Sequence, residues 1–142
     1  MLIGSNHAAN AFTRAYTGYV HTISHAISAL YNVGHGKTNA IILPYVLQYY
    51  GKSIENKLAD IAIYTGIGKA DEEQSVLASK VIKRIQNLNL ALGIPNKIEE
   101  LRKDDIEIVV KKALKEGNPA YPVPKLMNSS EGNALVSKLL PS

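Results

Sequence analysis

Three histidines stand near the start of the chain, at positions 21, 25 and 35. His21 and His25 are four residues apart, a spacing that places two side chains on one face of a helix, and His35 begins the next predicted element. A neutral imidazole is a good ligand for iron, zinc, nickel or copper. The pattern suits a divalent-metal site, although buried histidines that are hydrogen-bonded to the backbone or to serine would show the same spacing.

No acidic residue accompanies these histidines. The chain has 16 Lys and Arg against 12 Asp and Glu, a formal charge of +4, but every acid lies at Glu55 or later. Without carboxylates, the chemistry of a metal bound there would be limited. Further along the chain the two signs of charge alternate closely, which is typical of solvated helix faces and not of a nucleic-acid-binding stripe. We therefore expect the first third of the chain to be buried or partner-facing, with no nucleic-acid partner.

Two predicted helices must position the histidines. The first runs from about Gly18 to Tyr31, and its apolar stripe consists of Val20, Ile23, Ile27 and Leu30. At about 100° per residue, His21 and His25 fall on roughly the opposite face, which we expect to line a polar cavity. After a break, the second helix extends from Lys37 to about Tyr50, and Pro44 is expected to end or kink it.

The rest of the chain shows the same helical periodicity. Apolar residues recur at spacings of three and four, for example from Leu77 to Leu92 and from Ile106 to Leu114, and no alternating β-type segment of useful length is present. With 142 residues, the chain is close to the size of one domain. The sequence therefore predicts an all-α fold, a single helical domain of about six to eight helices.

Helix ends and one loop can also be predicted. Asp104 with Glu107 and Asn128 with Glu131 have the spacing of a capping box. The segment Asn118–Pro124, which we call the proline segment, carries three prolines in six residues and therefore cannot be helical.

The composition bears on the disulfides, the membrane partners and the cellular location that can be expected for the protein. The chain has no cysteine, so neither a disulfide framework nor a thiolate metal site is available. Its start lacks a basic region leading into an apolar core, and its longest apolar run, about residues 40–47, is too short to span a bilayer. We expect no membrane partner and a cytoplasmic location.

Several stretches closely resemble one known family, the iron-containing (group III) alcohol dehydrogenases, in their C-terminal metal-binding domain. They are Ala11–His21, His25–Tyr31 and Gly34–Pro44, followed in the same order by Lys57–Ala62, Leu92–Pro95 and Asn118–Pro124. The resemblance covers roughly Ala11 to Leu139. It implies that residues 1–142 form the helical, metal-side domain of the dehydroquinate synthase-like/iron alcohol dehydrogenase fold, with the N-terminal nucleotide-binding domain absent.

The resemblance also implies roles for the histidines. In that family a divalent metal, usually iron and sometimes zinc, is held by one aspartate and three histidines. By motif position His21 and His35 match two of these metal ligands, and His25 matches a catalytic histidine that is not a ligand and lies close to the nicotinamide and substrate. In the complete enzyme the metal polarises the alcohol or aldehyde oxygen while hydride passes to or from NAD or NADP. The family's aspartate, its remaining histidine ligand and its Gly-rich phosphate-binding turn have no counterpart in this sequence.

Two hypotheses of function follow. The first is a fragment or isolated domain of a metal-dependent NAD(P)-linked alcohol dehydrogenase, which is inactive alone and which acts on a small alcohol or aldehyde when complete. The second is a non-catalytic helical module that pairs with a copy of itself, as a homo-oligomer, or with a separate N-terminal polypeptide. The sequence does not indicate the substrate, the choice between NAD and NADP, or the metal that is bound.

Overall fold

The structure, a computed structural model, describes residues 2–141 apart from the side chain of Arg14. Within that range there are seven α-helices and no strand. The helices are α1 (Leu2–Ala15), α2 (Tyr19–Tyr31), α3 (His35–Tyr50), α4 (Glu55–Tyr64), α5 (Gln74–Ala91), α6 (Ile106–Gly117) and α7 (Ser129–Ser137). Two 3-10 turns, Gly51–Ile54 and Lys103–Asp105, precede α4 and α6. The prediction of an all-α fold with six to eight helices is confirmed.

Helix α2 lies at the centre of the fold, packed between α3 and α6. From its predicted apolar stripe, Ile23 and Ile27 are fully buried, whereas Leu30 is exposed. On the facing helix α6, Val109 and Val110 are buried as the periodicity of that segment predicts. Burying a side chain of this size stabilises the fold by about 1.5–3 kcal/mol. Helices α4 and α5 pack as a pair, and α7 packs on α6, so the core extends through the C-terminal half.

Helix α1 differs from all the others. Its described side chains are almost all exposed, including the apolar Leu2 at 88%, Ile3 at 76% and Phe12 at 49%. The expectation that the first third is buried or partner-facing therefore holds for the core faces of α2 and α3, while α1 contributes nothing to the core. No helix of the range 2–141 is both long enough and apolar enough to cross a membrane.

Pro44 was expected to end or kink this helix, and because α3 continues through Pro44 to Tyr50, the first of these alternatives is wrong. Proline has no N–H to donate to the carbonyl four residues earlier, which is that of Ala40. In the structure the side-chain amide of Asn89, on α5, donates to the Ala40 carbonyl over 2.7 Å. The carbonyl that Pro44 leaves without its usual partner is therefore satisfied from a neighbouring helix.

The predicted helix ends are confirmed at some positions and wrong at others. The capping box of Asn128 and Glu131 is present at the start of α7. The one predicted from Asp104 to Glu107 is absent, because the chain forms a 3-10 turn there and Asp105 precedes α6 without a side-chain cap. Helix α3 begins two residues earlier than predicted, so His35 is its first residue.

Candidate metal centre

The fold brings the three histidines together as a cluster. His21 and His25 project from successive turns of α2, and a tight turn through Asn32, which has a φ of +52°, returns the chain so that α3 starts at His35. The ring centres lie 5.4 Å apart for His21 and His35, 5.1 Å for His25 and His35, and 6.0 Å for His21 and His25. We call these three residues the histidine cluster.

His21 is the least exposed member of the cluster. It is half-buried, and the ring of Phe12 from α1 lies 6.4 Å from its own ring centre. Burial lowers the pKa of His21 below its ordinary value, and positive charge on His35 and His25 would lower it further. His21 is therefore neutral near pH 7, which is the form that binds metal ions.

His35 is held by two polar neighbours. Its Nε2 accepts a hydrogen bond from the side-chain amide of Asn39, one turn further along α3, at 2.9 Å. Its Nδ1 faces the hydroxyl of Ser24 at 3.3 Å. The ring nitrogen that Asn39 contacts is already engaged, so a metal ion could bind at Nε2 only if that amide moved aside.

His25 pairs with a carboxylate that the sequence did not indicate. Its Nδ1 lies 2.9 Å from Oε1 of Glu116, in the last turn of α6, and the Tyr121 hydroxyl donates to the same oxygen at 3.1 Å. The acid-free stretch around the histidines is thus supplied with a carboxylate from 91 residues away. One feature of the sequence could have pointed to Glu116: an acid in the last turn of a predicted helix is repelled by the helix dipole, so a compensating partner is expected.

The cluster is more open than predicted. We expected the histidine face of α2 to be buried against a polar cavity, but the side chain of His25 is 45% exposed and His35 is exposed. The neighbouring space is an apolar groove of about 480 Å³ that runs past His21 between α1, the α2–α3 pair and the proline segment. Its lining includes Phe12, Tyr16, Val20, Leu43, Leu47 and Val123.

The donors present fit part of a metal site. Two imidazoles on one tetrahedral ion, with metal–nitrogen distances of about 2.1 Å, have ring centres roughly 5 Å apart, and the His21–His35 separation is of that order. Across residues 2–141, however, no three histidine, aspartate or glutamate side chains are arranged to hold a metal ion. His21 and His35 suit two positions of a larger ligand set, and their role as ligands remains a prediction, as does the catalytic role of His25.

The chain is similar in sequence to dehydrogenases and reductases among other proteins. The chain is 35% identical over 126 residues to 1,3-propanediol dehydrogenase of Klebsiella pneumoniae, covering 87% of this chain and 32% of the relative. It is 31% identical over 125 residues to lactaldehyde reductase of Escherichia coli strain K12, covering 84% and 33%. The chain therefore spans about a third of the length of these relatives.

Solved structures agree with the sequence comparisons. An alcohol dehydrogenase from Oenococcus oeni superposes with a TM-score of 0.84 at 26% identity, over 93% of this chain and 35% of that one. A 1,3-propanediol oxidoreductase superposes with a TM-score of 0.79 at 31% identity, over 86% and 32%. The model of the Fe-containing alcohol dehydrogenase family, C-terminal, matches residues 1–140. This chain therefore belongs to the iron-containing alcohol dehydrogenase family and corresponds to its C-terminal, helical region.

Proposed function

We propose that this chain acts as the metal-side helical domain of a metal-dependent, NAD(P)-linked alcohol dehydrogenase that interconverts a small alcohol and its aldehyde or ketone. The observation that carries the proposal is the histidine cluster, in which two helices of a family member bring three imidazoles within 6.0 Å of one another beside an apolar groove. In this proposal His21 and His35 are ligands of a divalent metal, iron or alternatively zinc, and His25 handles the substrate proton.

Each part of the site has a task under this proposal. A bound metal would supply Lewis-acid polarisation of the alcohol or aldehyde oxygen. His21 offers a neutral ring because its pKa is lowered, and Ser24 beside His35 helps to orient the second ring. The apolar groove that His21 lines would hold the carbon chain of a small alcohol.

We further propose that catalysis requires polypeptide in addition to this chain. The relatives are about three times as long as the chain, and hydride transfer needs a platform that binds the nicotinamide cofactor. Two histidine ligands alone also leave the metal loosely held. The chain by itself should therefore be inactive with NAD or NADP.

Metal binding provides the first test. Titration calorimetry with Zn²⁺ should detect binding to the chain, and His21→Ala and His35→Ala should each weaken it about tenfold or more, which corresponds to about 1.4 kcal/mol. His25→Ala should leave the affinity nearly unchanged, and His7→Ala, in the exposed helix α1, is the matched control. Zn²⁺ affinity that is insensitive to His21→Ala would contradict the assignment of ligands.

Turnover provides the second test. The purified chain should not reduce NAD or NADP in the presence of 1,3-propanediol and Fe²⁺ or Zn²⁺. When the chain is mixed with the N-terminal part of the Klebsiella relative, activity should appear in the wild type and should be lost with His25→Ala. Oxidation of the alcohol by the chain alone would show that it needs no further polypeptide.

A second candidate function, self-association, is favoured by exposed apolar surface. Leu2, Ile3 and Phe12 on α1 are exposed, and Phe12 lines the apolar groove. Exposed patches of this kind commonly mark interfaces. Light scattering over a wide range of concentrations tests this candidate, and a strict monomer throughout would count against it.

A further inference from the structure

We propose that Glu116 is a positioning residue for His25, which it holds in the tautomer that carries the proton on Nδ1 and the lone pair on Nε2. The part of this inference that concerns catalysis rests on the proposed function, because it assumes that His25 exchanges a proton with the substrate. The part that concerns the tautomer depends only on the contacts of Glu116.

The hydrogen-bonding capacity of a carboxylate determines the tautomer. An ionised carboxylate can only accept hydrogen bonds. Glu116 is one-third exposed and its Oε1 lies 2.9 Å from Nδ1 of His25, so this nitrogen must be the donor. A neutral ring with its proton on Nδ1 has its lone pair on Nε2. The Tyr121 hydroxyl donates to the same carboxylate oxygen and fixes its position from a third element, the proline segment.

Close helix packing sets the distance between the two side chains. Gly117 follows Glu116 and lies against α2, where an added Cβ would stand 3.2 Å from Cε1 of Tyr19 and 3.4 Å from Cγ2 of Thr22. The absence of a side chain at this position lets the end of α6 approach α2 within one turn of His25. Glu116 thus reaches His25 from a helix whose position is fixed by the core, and not from a loop.

The position of Glu116 is otherwise unfavourable. It lies in the last turn of α6, where unpaired carbonyls give the helix end a partial negative charge that repels a carboxylate. The hydrogen bonds from His25 and Tyr121 offset that repulsion. A carboxylate that accepts a hydrogen bond from one ring nitrogen fixes which nitrogen of the imidazole carries the proton.

The consequence for the proposed reaction is a defined proton path. In alcohol oxidation the O–H bond would break, its proton would move to Nε2 of His25, and its electron pair would form the C=O bond as hydride leaves the carbon; a bound nicotinamide would supply the hydride acceptor. The resulting imidazolium still donates from Nδ1 to Glu116, whose negative charge stabilises it. Without Glu116 the ring would favour the opposite tautomer, in which Nε2 carries a proton and cannot accept another.

The tautomer can be read directly by NMR on the full chain. Long-range ¹⁵N–¹H spectra of histidine-labelled protein at about pH 8, where free imidazoles are neutral, distinguish the protonated from the unprotonated ring nitrogen. Wild-type His25 should show protonated Nδ1 and unprotonated Nε2. Glu116→Ala should shift the population toward protonated Nε2, and Glu116→Gln, whose amide oxygen still accepts, should restore most of the wild-type pattern.

Two controls distinguish a positioning role of Glu116 from an effect of its replacement on folding. Glu107→Ala removes the other acid of α6 and should leave the His25 spectrum unchanged. A wild-type spectrum with protonated Nε2, or a Glu116→Ala spectrum identical to that of wild type, would overturn the proposal, and the wild-type result stands even if a variant fails to fold. Because the measurement uses neither metal nor cofactor, its outcome is independent of whether the proposed dehydrogenase function is correct.

Discussion

Two asparagines, both partly buried, show how differently the molecule treats polar groups in two regions. At the start of the proline segment, Asn118 accepts a hydrogen bond from the Tyr19 hydroxyl and donates one to the Met127 carbonyl, so both ends of its amide are paired. Beside the histidine cluster, Asn39 donates to His35, but its buried oxygen has no hydrogen-bond partner among the side chains and backbone that the structure describes. We call the first group, Tyr19, Asn118 and Met127, the tyrosine anchor.

The comparison contrasts polar groups that are fully paired inside the fold with polar groups that lie near the surface. In the tyrosine anchor the Tyr19 hydroxyl also accepts from the Met127 N–H, and the whole Tyr19 residue is 0% exposed. Such a network stabilises only when all its members are satisfied. The histidine cluster is open to solvent, and the Asn39 oxygen beside it has no hydrogen-bond partner among residues 2–141, with the side chain of Arg14 left aside.

The loss of one hydroxyl from each region should give the largest difference. Tyr19→Phe leaves the Met127 N–H and the Asn118 oxygen without partners, and should lower the free energy of unfolding by about 2–3 kcal/mol. Tyr121→Phe removes the hydroxyl that contacts Glu116 in the histidine region, and should cost less than about 0.5 kcal/mol because water can replace it. Urea unfolding followed by circular dichroism measures both. An equal loss of unfolding free energy in the two variants would mean that the tyrosine anchor depends on its hydroxyl no more than the region around Glu116 does.

A single added methyl group should show a smaller contrast in the free energy of unfolding, between the buried contact of α6 with α7 and the exposed helix α1. An alanine Cβ at Gly132 on α7 would stand 2.7 Å from Cγ1 of Val110, a buried and β-branched residue with little room to move. Gly132→Ala should therefore cost about 1–2 kcal/mol. Gly4→Ala on α1, where nothing lies within 4 Å, should cost nothing. Thermal unfolding of the two variants tests this, and a neutral Gly132→Ala would show that the α6–α7 contact can relax.

Acid should have the smallest effect, and it should act through the histidine cluster. Because burial lowers the pKa of His21 below 6.5 in the folded chain, the unfolded chain binds a proton more readily near and below that pH. The contribution of His21 to the free energy of unfolding therefore falls as the pH falls through this range. Urea midpoints at about pH 7 and about pH 5 should differ less in His21→Gln than in wild type. His7→Gln, in exposed α1, should keep the wild-type difference, and a His21→Gln protein with unchanged acid sensitivity would refute the argument.

The sequence predicted the features that depend on residues close together in the chain. Helix α2 was predicted from Gly18 to Tyr31 and extends from Tyr19 to Tyr31. Its three- and four-residue periodicity specifies which side chains face the core and places His21 above His25. The short break before α3 then leaves few ways for the chain to turn, so the proximity of His35 could also be predicted.

Features that depend on distant contacts could not be predicted in the same way. The Glu116–His25 pair joins residues 91 positions apart, and it depends on close packing at Gly117 that no local pattern encodes. The sequence likewise left open whether Pro44 would end or kink α3, and the helix does not end there because the amide that compensates for the proline comes from α5. The capping box predicted at Asp104 is absent for a local reason, because Asp104 lies inside a 3-10 turn and not at the start of the α-helix.

The hydrogen bond from Asn89 to the Ala40 carbonyl links α3, in the N-terminal half of the chain, to α5, in the C-terminal half. Until α5 docks, α3 has an unpaired carbonyl one turn before Pro44 and a weak point in its middle. His35 is the first residue of α3, so α5 supports a helix that carries one member of the histidine cluster although α5 itself contributes none. Local opening of α5 should therefore weaken α3 near Pro44 by about 1 kcal/mol, the usual contribution of one hydrogen bond.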